Sequence, residues 1–153
     1  MKEITGNLWD YYGKPNHVCI VTTNGTVKNN GECVMGRGCA AEAKEKVPGI
    51  ASCLGAAIRK NGNVFHGYLG AFVGDYNGQK LAFFPVKHNW WEKADLVLIK
   101  QSTNSLKTWA EALPEFTFIL PRPGCGNGQR TWSEVKPLLE GLPDNVWVIS
   151  REA

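Results

Sequence analysis

The stretch Pro121-Arg122-Pro123-Gly124-Cys125-Gly126-Asn127-Gly128 constrains this chain more than any other. It follows Phe116-Thr117-Phe118-Ile119-Leu120, an apolar run that reads as a buried strand, and it precedes a helix-favouring segment beginning near Trp132. A glycine-dense turn between a strand and a helix is where an α/β protein brings bare backbone N–H groups against an anion. No Cβ holds the anion off, and the first N–H groups of the helix have no internal partner. A second such turn, Met35-Gly36-Arg37-Gly38, opens another helical segment after a strand at 17–23. Two anion cradles in one short chain point to a ligand with two phosphates.

The remaining pattern alternates between strand and helix. Residues 2–5 read as a short strand ended by Gly6-Asn7, and a polar, aromatic loop covers 8–16. His17-Val18-Cys19-Ile20-Val21-Thr22-Thr23 is a nearly continuous β-branched run, as expected of a central strand covered on both faces. Residues 24–31 are rich in Asn and Gly and form a loop. Residues 38–47 favour helix and stop at Pro48-Gly49; residues 50–60 read as a further helix stopped by Asn61-Gly62. Residues 64–73 and 80–86 read as a strand pair turning around Asp75-Tyr76-Asn77-Gly78, where Asn-Gly suits a hairpin. The segment 95–99 is compatible with strand, but Leu96, Ile99, Leu106, Trp109 and Leu113 fit a helical stripe, so 94–113 is read as helix. Strand at 116–120, helix at 132–142 and strand at 145–150 complete the chain. The expectation is one α/β domain over residues 1–153, with a mixed central sheet between helical layers.

Composition narrows the function classes. The chain has 153 residues and a net charge of +3, too small a balance to argue for a nucleic-acid or membrane surface. No apolar run approaches membrane-spanning length. The 5 cysteines are odd in number and lack Cys-x-x-Cys spacing, and the N-terminus enters strand-like sequence directly; a cytoplasmic chain with reduced thiols is expected. Three histidines without ligand spacing give no reason to expect a metal, and no cofactor is expected. Neither a phosphate-loop G-x-x-x-x-G-K-[ST] nor a strand-linked G-x-G-x-x-G occurs.

Four stretches, in order and spanning nearly the whole chain, carry a resemblance. They are Ile4-Thr5-Gly6-Asn7-Leu8; Val21-Thr22-Thr23-Asn24 followed by Met35-Gly36-Arg37-Gly38-Cys39-Ala40; Phe84-Pro85-Val86-Lys87; and Leu120-Pro121-Arg122-Pro123-Gly124-Cys125-Gly126 with Trp132. Together they resemble a macrodomain, the three-layer α/β/α module that binds ADP-ribose. The last two resemble its lysine-dependent, terminal ADP-ribose glycohydrolase-like branch. The long loop from Asn24 to Met35 is similar to that of macrodomain-like proteins of bacteria and their viruses.

The resemblance implies roles residue by residue. Asn7 and Leu8 would meet the adenine; Asn7 stands where most members carry an Asp that accepts from the adenine amino group, and the amide keeps one acceptor oxygen. Thr23 and Asn24 would lie near the distal ribose. Gly36 and Gly38 would hold one phosphate, with Arg37 either pairing with it or lying in solvent, and Met35 lining the pocket or the core. Pro121, Arg122, Pro123, Gly124, Cys125, Gly126, Asn127 and Gly128 would form the second cradle, whose N–H groups would lower the pKa of an exposed Cys125. Lys87 would attack the anomeric carbon of the distal ribose, which requires a neutral amine. The acid that this branch places in its second loop falls at Gly128 and is missing, so Glu32, in the long loop, is the substitute to look for. Trp90 and Trp91 either wall the pocket or close an edge of the core. The implied activity is hydrolysis of an ADP-ribosyl derivative, removing ADP-ribose from a macromolecule or dephosphorylating ADP-ribose-1''-phosphate. The alternative is a non-catalytic binder. Nucleic acid enters only as an ADP-ribosylated carrier, no membrane is involved, and a monomer is expected.

Overall fold

Alternation along the second strand divides the molecule into two cores. Residues His17–Asn24 form β2. Val18 and Ile20 point into one apolar cluster while Cys19 and Val21 point into the other, and all four are fully buried. A strand apolar on both faces needs cover on both, which is what its continuous β-branched run implied. The computed structural model describes residues 1–68, 75–76 and 79–151.

The other strands are β1 (Lys2–Thr5), β3 (His66–Tyr68), β4 (Asp75–Tyr76), β5 (Gln79–Lys87), β6 (Thr117–Pro121) and β7 (Val146–Ser150). They join one sheet in the order β1-β7-β6-β2-β5-β3, with β4 also paired to β5. The five strands β1, β7, β6, β2 and β5 all run parallel. Only the short β3 and β4 are antiparallel, both to β5. The sheet is therefore parallel over five neighbours and mixed at one edge.

The helices are α1 (Gly38–Lys46), α2 (Ile50–Asn61), α3 (Leu96–Ala112) and α4 (Trp132–Leu139). Ala43 of α1 and Leu54 of α2 pack with Leu8, Cys19, Val21, Phe83 and Ile119 on one face of the sheet. Ile99 and Leu106 of α3 and Val135 and Leu139 of α4 pack with Val18, Ile20, Phe84, Phe118 and Val148 on the other. This is the three-layer arrangement expected. Asp95 resolves the ambiguous start of α3: its side chain accepts from the Val97 N–H at 2.9 Å, which caps a helix rather than beginning a strand. A capping box between Thr131 and Glu134 starts α4 where the sequence placed it, but the helix ends at Leu139, three residues before the expected limit, with a turn from Leu142 N–H to Leu139 O closing it. Of the strand pair read at 64–73 and 80–86, the antiparallel pairing of β3 with β5 is present; the Asn77-Gly78 turn lies outside the described residues. No described helix is long and apolar enough to cross a membrane.

The chain passes from β2 to β5 on one side, then returns through α3 to β6 on the other. Parallel strands whose connections diverge in this way leave a crevice beyond their carboxyl ends, where open α/β sheets bind ligands.

Candidate functional site

That crevice is a cleft of about 760 Å³. Its floor follows the strand order: Asn7 after β1, Ser150 and Arg151 at the end of β7, Pro121 and Arg122 at β6, Thr22, Thr23 and Asn24 at β2, and Val86 and Lys87 at β5. With neighbouring strands about 4.8 Å apart, the five ends span about 19 Å. Above them lie the two glycine loops, Gly36, Arg37 and Gly38 on one side and Gly124, Gly126, Asn127 and Gly128 on the other. The loops meet: a Cβ on Gly38 would stand 3.3 Å from Asn127 Nδ2. Two turns remote in sequence thus border one cleft.

The glycines divide into two kinds. Gly36 and Gly126 would place a Cβ where nothing lies within 4 Å, so protein packing does not require them and their bare backbone borders open space. Gly124 and Gly128 are required by packing. Gly124 has a φ of +76°, and a Cβ there would lie 2.9 Å from Ile99 Cδ1. A Cβ on Gly128 would lie 2.6 Å from the Gly124 carbonyl oxygen and 2.9 Å from Ala94 Cβ, while the Gly128 carbonyl accepts from Ala94 N–H at 2.9 Å. The loop is packed onto the start of α3 at that point, so position 128 has no room for an acid.

Lys87 ends β5 with its amine in the cleft wall. Nζ donates to the Trp90 carbonyl at 3.2 Å and the Asn127 carbonyl at 3.0 Å, so two of its three N–H groups are held and one remains. Burial, and then the Arg37 guanidinium, lower its pKa from the ordinary lysine value. The neighbouring His88 pairs with Asp95 at 2.7 Å, which holds the Asp95 carboxyl below its usual range. Trp90 lines the cleft beside Lys87, as one reading of the tryptophan pair had it, and Trp91 is 62% exposed.

Asn24 also lines the cleft, but its amide is largely engaged in shaping the long loop. Nδ2 donates to Val34 O at 2.9 Å and Oδ1 accepts from Thr26 N–H at 3.0 Å, tying the two arms of the loop together. The loop itself docks on α2, through Cys33 N–H to Ala51 O at 2.9 Å and through Gly55, whose missing side chain makes room for the Gly31 carbonyl.

Several expected site residues are placed elsewhere. Glu32 lies at the tip of the docked loop, 3.6 Å from Lys28 and 3.2 Å from the Asn30 amide, and does not line the cleft. Met35 is 3% exposed and belongs to the core cluster with Cys33 and Leu54, the core being one of the two places expected for it. Within the second loop Pro123 is buried and Cys125 half-buried, and neither lines the cleft. Burial pushes the Cys125 thiol up to about 11, the reverse of the expected activation. Arg122 does line the cleft, stacked at 4.8 Å over the Trp132 ring and 3.7 Å from Glu3. Asn7 and Leu8 line its far end; the Asn7 oxygen is occupied, accepting from Trp9 N–H at 3.0 Å to cap the 3-10 turn Leu8–Tyr11.

The structure adds residues that the sequence motifs did not flag. Glu42 of α1 and Arg151 beyond β7 form an ion pair at 3.2 Å, and Glu42 is the only carboxylate lining the cleft among the described residues. Ile149 contributes wall, beside Cys39 and Ala40 of the Met35–Ala40 stretch already singled out. The end of β7 could have been flagged, because neighbouring parallel strands end on the same side; Glu42 carries no such signal. Among the described residues no group of three His, Cys, Asp or Glu side chains could hold a metal ion.

No protein-family model matches the chain, and no curated protein matches its sequence. Solved structures do match. The macrodomain of Thermus aquaticus DarG is 24% identical with a TM-score of 0.74, over 97% of this chain and 97% of that one. The macrodomain of Mycobacterium tuberculosis DarG is 22% identical with a TM-score of 0.73, over 97% and 95%. Thermosipho africanus DarTG, solved in complex with ADP-ribose, is 19% identical with a TM-score of 0.72; 97% of this chain is covered, and it spans 41% of that longer chain. The likeness covers every layer of the molecule and shows that this chain has the macrodomain fold.

Proposed function

We propose that the cleft binds an ADP-ribosyl group laid across the five strand ends, its diphosphate between the two glycine loops, its adenosine toward Asn7 and its distal ribose toward Lys87. The observation that carries this reading is the meeting of Gly38 and Asn127 over one cleft, which gives a diphosphate two sets of backbone N–H groups and bare Cα positions at Gly36 and Gly126. The ADP-ribose complex of Thermosipho africanus DarTG, which shares the fold, supports it.

The activity we propose is hydrolysis of an ADP-ribosyl derivative through Lys87. Its lowered pKa favours the neutral amine that nucleophilic attack requires. The amine would bond to the anomeric carbon as the glycosidic bond breaks and the leaving group takes a proton; water would then release ADP-ribose and restore the amine. A second reading, recognition without turnover, is favoured by one specific finding: Gly128 has no room for an acid, and Glu42 is held by Arg151 at the β1–β7 end of the cleft. The carrier, in either reading, is a macromolecule or small molecule bearing ADP-ribose, with nucleic acid included only in that capacity.

Incubation with ADP-ribosylated DNA, ADP-ribosylated protein and ADP-ribose-1''-phosphate, together with calorimetric titration of ADP-ribose, separates the readings. Turnover that disappears in Lys87→Ala while binding persists supports the hydrolase. Tight binding with no turnover on any of the three leaves the binder. Absence of ADP-ribose binding overturns both.

A further inference from the structure

The Asn7 side chain sits at one extremity of the cleft, where its neighbours change character. Leu8, Ile149 and Ala40 are all at most 8% exposed and give this end apolar walls, whereas the middle of the cleft is bordered by backbone and by Arg37 and Arg122. An apolar slot beyond a diphosphate-sized cradle suits a flat heterocycle. The polar atom that the slot offers such a ring is decided by a hydrogen bond within the protein. The Trp9 backbone N–H can only donate, so the Asn7 atom 3.0 Å from it is the amide oxygen. Nδ2 is left without a protein partner among the described residues, and Nδ2 can only donate. The charged side chains that line the cleft here, Glu42 and Arg151, pair with one another at 3.2 Å.

We infer that Asn7 opens the base end of this cleft to a 6-oxopurine, so that a purine diphosphate ribose carrying a carbonyl at position 6 is bound at least as well as its 6-amino counterpart. The inference rests on the assignment of the cleft given above. Adenine presents a donor at position 6, whereas hypoxanthine and guanine present an acceptor there. A carboxylate at residue 7 would offer only acceptors, pairing with the amine and repelling the carbonyl. The amide here offers a free donor, which pairs with the carbonyl. One lone pair of its oxygen remains, so the amine is admitted but no longer singled out.

Calorimetric titration of ADP-ribose and of its hypoxanthine analogue, inosine diphosphate ribose, against the wild type and Asn7→Asp tests this. Aspartate caps a helical turn as well as asparagine does, so the variant keeps the bond to Trp9 and exchanges only the free donor for an acceptor. The wild type is expected to bind the hypoxanthine ligand at least as tightly as ADP-ribose, and Asn7→Asp to prefer ADP-ribose by about tenfold, the effect of one hydrogen bond made or lost. A wild-type preference for ADP-ribose of about tenfold, or a ratio between the two ligands unchanged in Asn7→Asp, overturns the inference while leaving the cleft assignment standing. Failure of the wild type to bind either ligand overturns the cleft assignment, and the inference with it.

Discussion

Glycine has two uses in the loops over this cleft, and substitution separates them. Gly126 borders open space, so Gly126→Glu is expected to fold normally, with a thermal midpoint within about 2 °C of wild type, and to lose ADP-ribose binding because a carboxylate occupies the cradle. Paired thermal scans and titrations check this. Gly128→Asp would reinstate an acid in the second loop, but its Cβ meets the Gly124 carbonyl at 2.6 Å. It should destabilise the protein by about 1–3 kcal/mol, read as a lowered melting temperature, rather than enhance turnover. Lys87 yields a pH prediction. Burial first and Arg37 second favour the neutral amine, so any turnover should rise with pH and level off below the usual lysine range. Arg37→Ala removes one of the two causes and should move that rise to higher pH. A pH–rate profile of both proteins measures the shift, and an unchanged profile would remove Arg37 from the account.

At the scale of elements, the long loop between β2 and α1 is held by α2 as well as by Asn24 at the end of β2. Gly55→Ala would push a methyl group against the Gly31 carbonyl. It is expected to cost about 1–3 kcal/mol and to weaken ligand binding although residue 55 lies outside the cleft, since Val34 and Gly36 are carried on that loop. Thermal denaturation and titration of this one variant report both effects. This docking also explains why Glu32 was misplaced by the sequence reading. Composition identifies residues 24–31 as a loop, but its direction is set by a close backbone approach at Gly55 and by the bonds of Asn24, neither of which has a local signature. The strands and helices were far more legible, because the continuous apolar run of β2 and the helical stripe of α3 are imposed by the cores they face. Gly124 and Gly128 were legible as glycines with a purpose, but that purpose, contact with Ala94 and Ile99, depends on a helix far away along the chain. Asn7 lines the end of the cleft, and that its oxygen caps the next turn depends on the backbone geometry there.

For the molecule as a whole, position along the cleft follows from strand order. Five parallel strands deliver Asn7, Arg151, Pro121, Asn24 and Lys87 to one side of the sheet in a row. An amide beside apolar walls therefore stands at one end and a partly desolvated amine at the other, with the two glycine loops between them. That order is a polarity, and it predicts which way a ligand lies. The most direct measurement is a crystal structure of the protein with ADP-ribose. The diphosphate is expected between the loop of Gly36 and Gly38 and that of Gly124 and Gly126, the base beside Asn7, Leu8 and Ile149, and the anomeric carbon next to Lys87 Nζ. A ligand lying in the opposite direction, or a diphosphate bound away from both loops, would contradict the account.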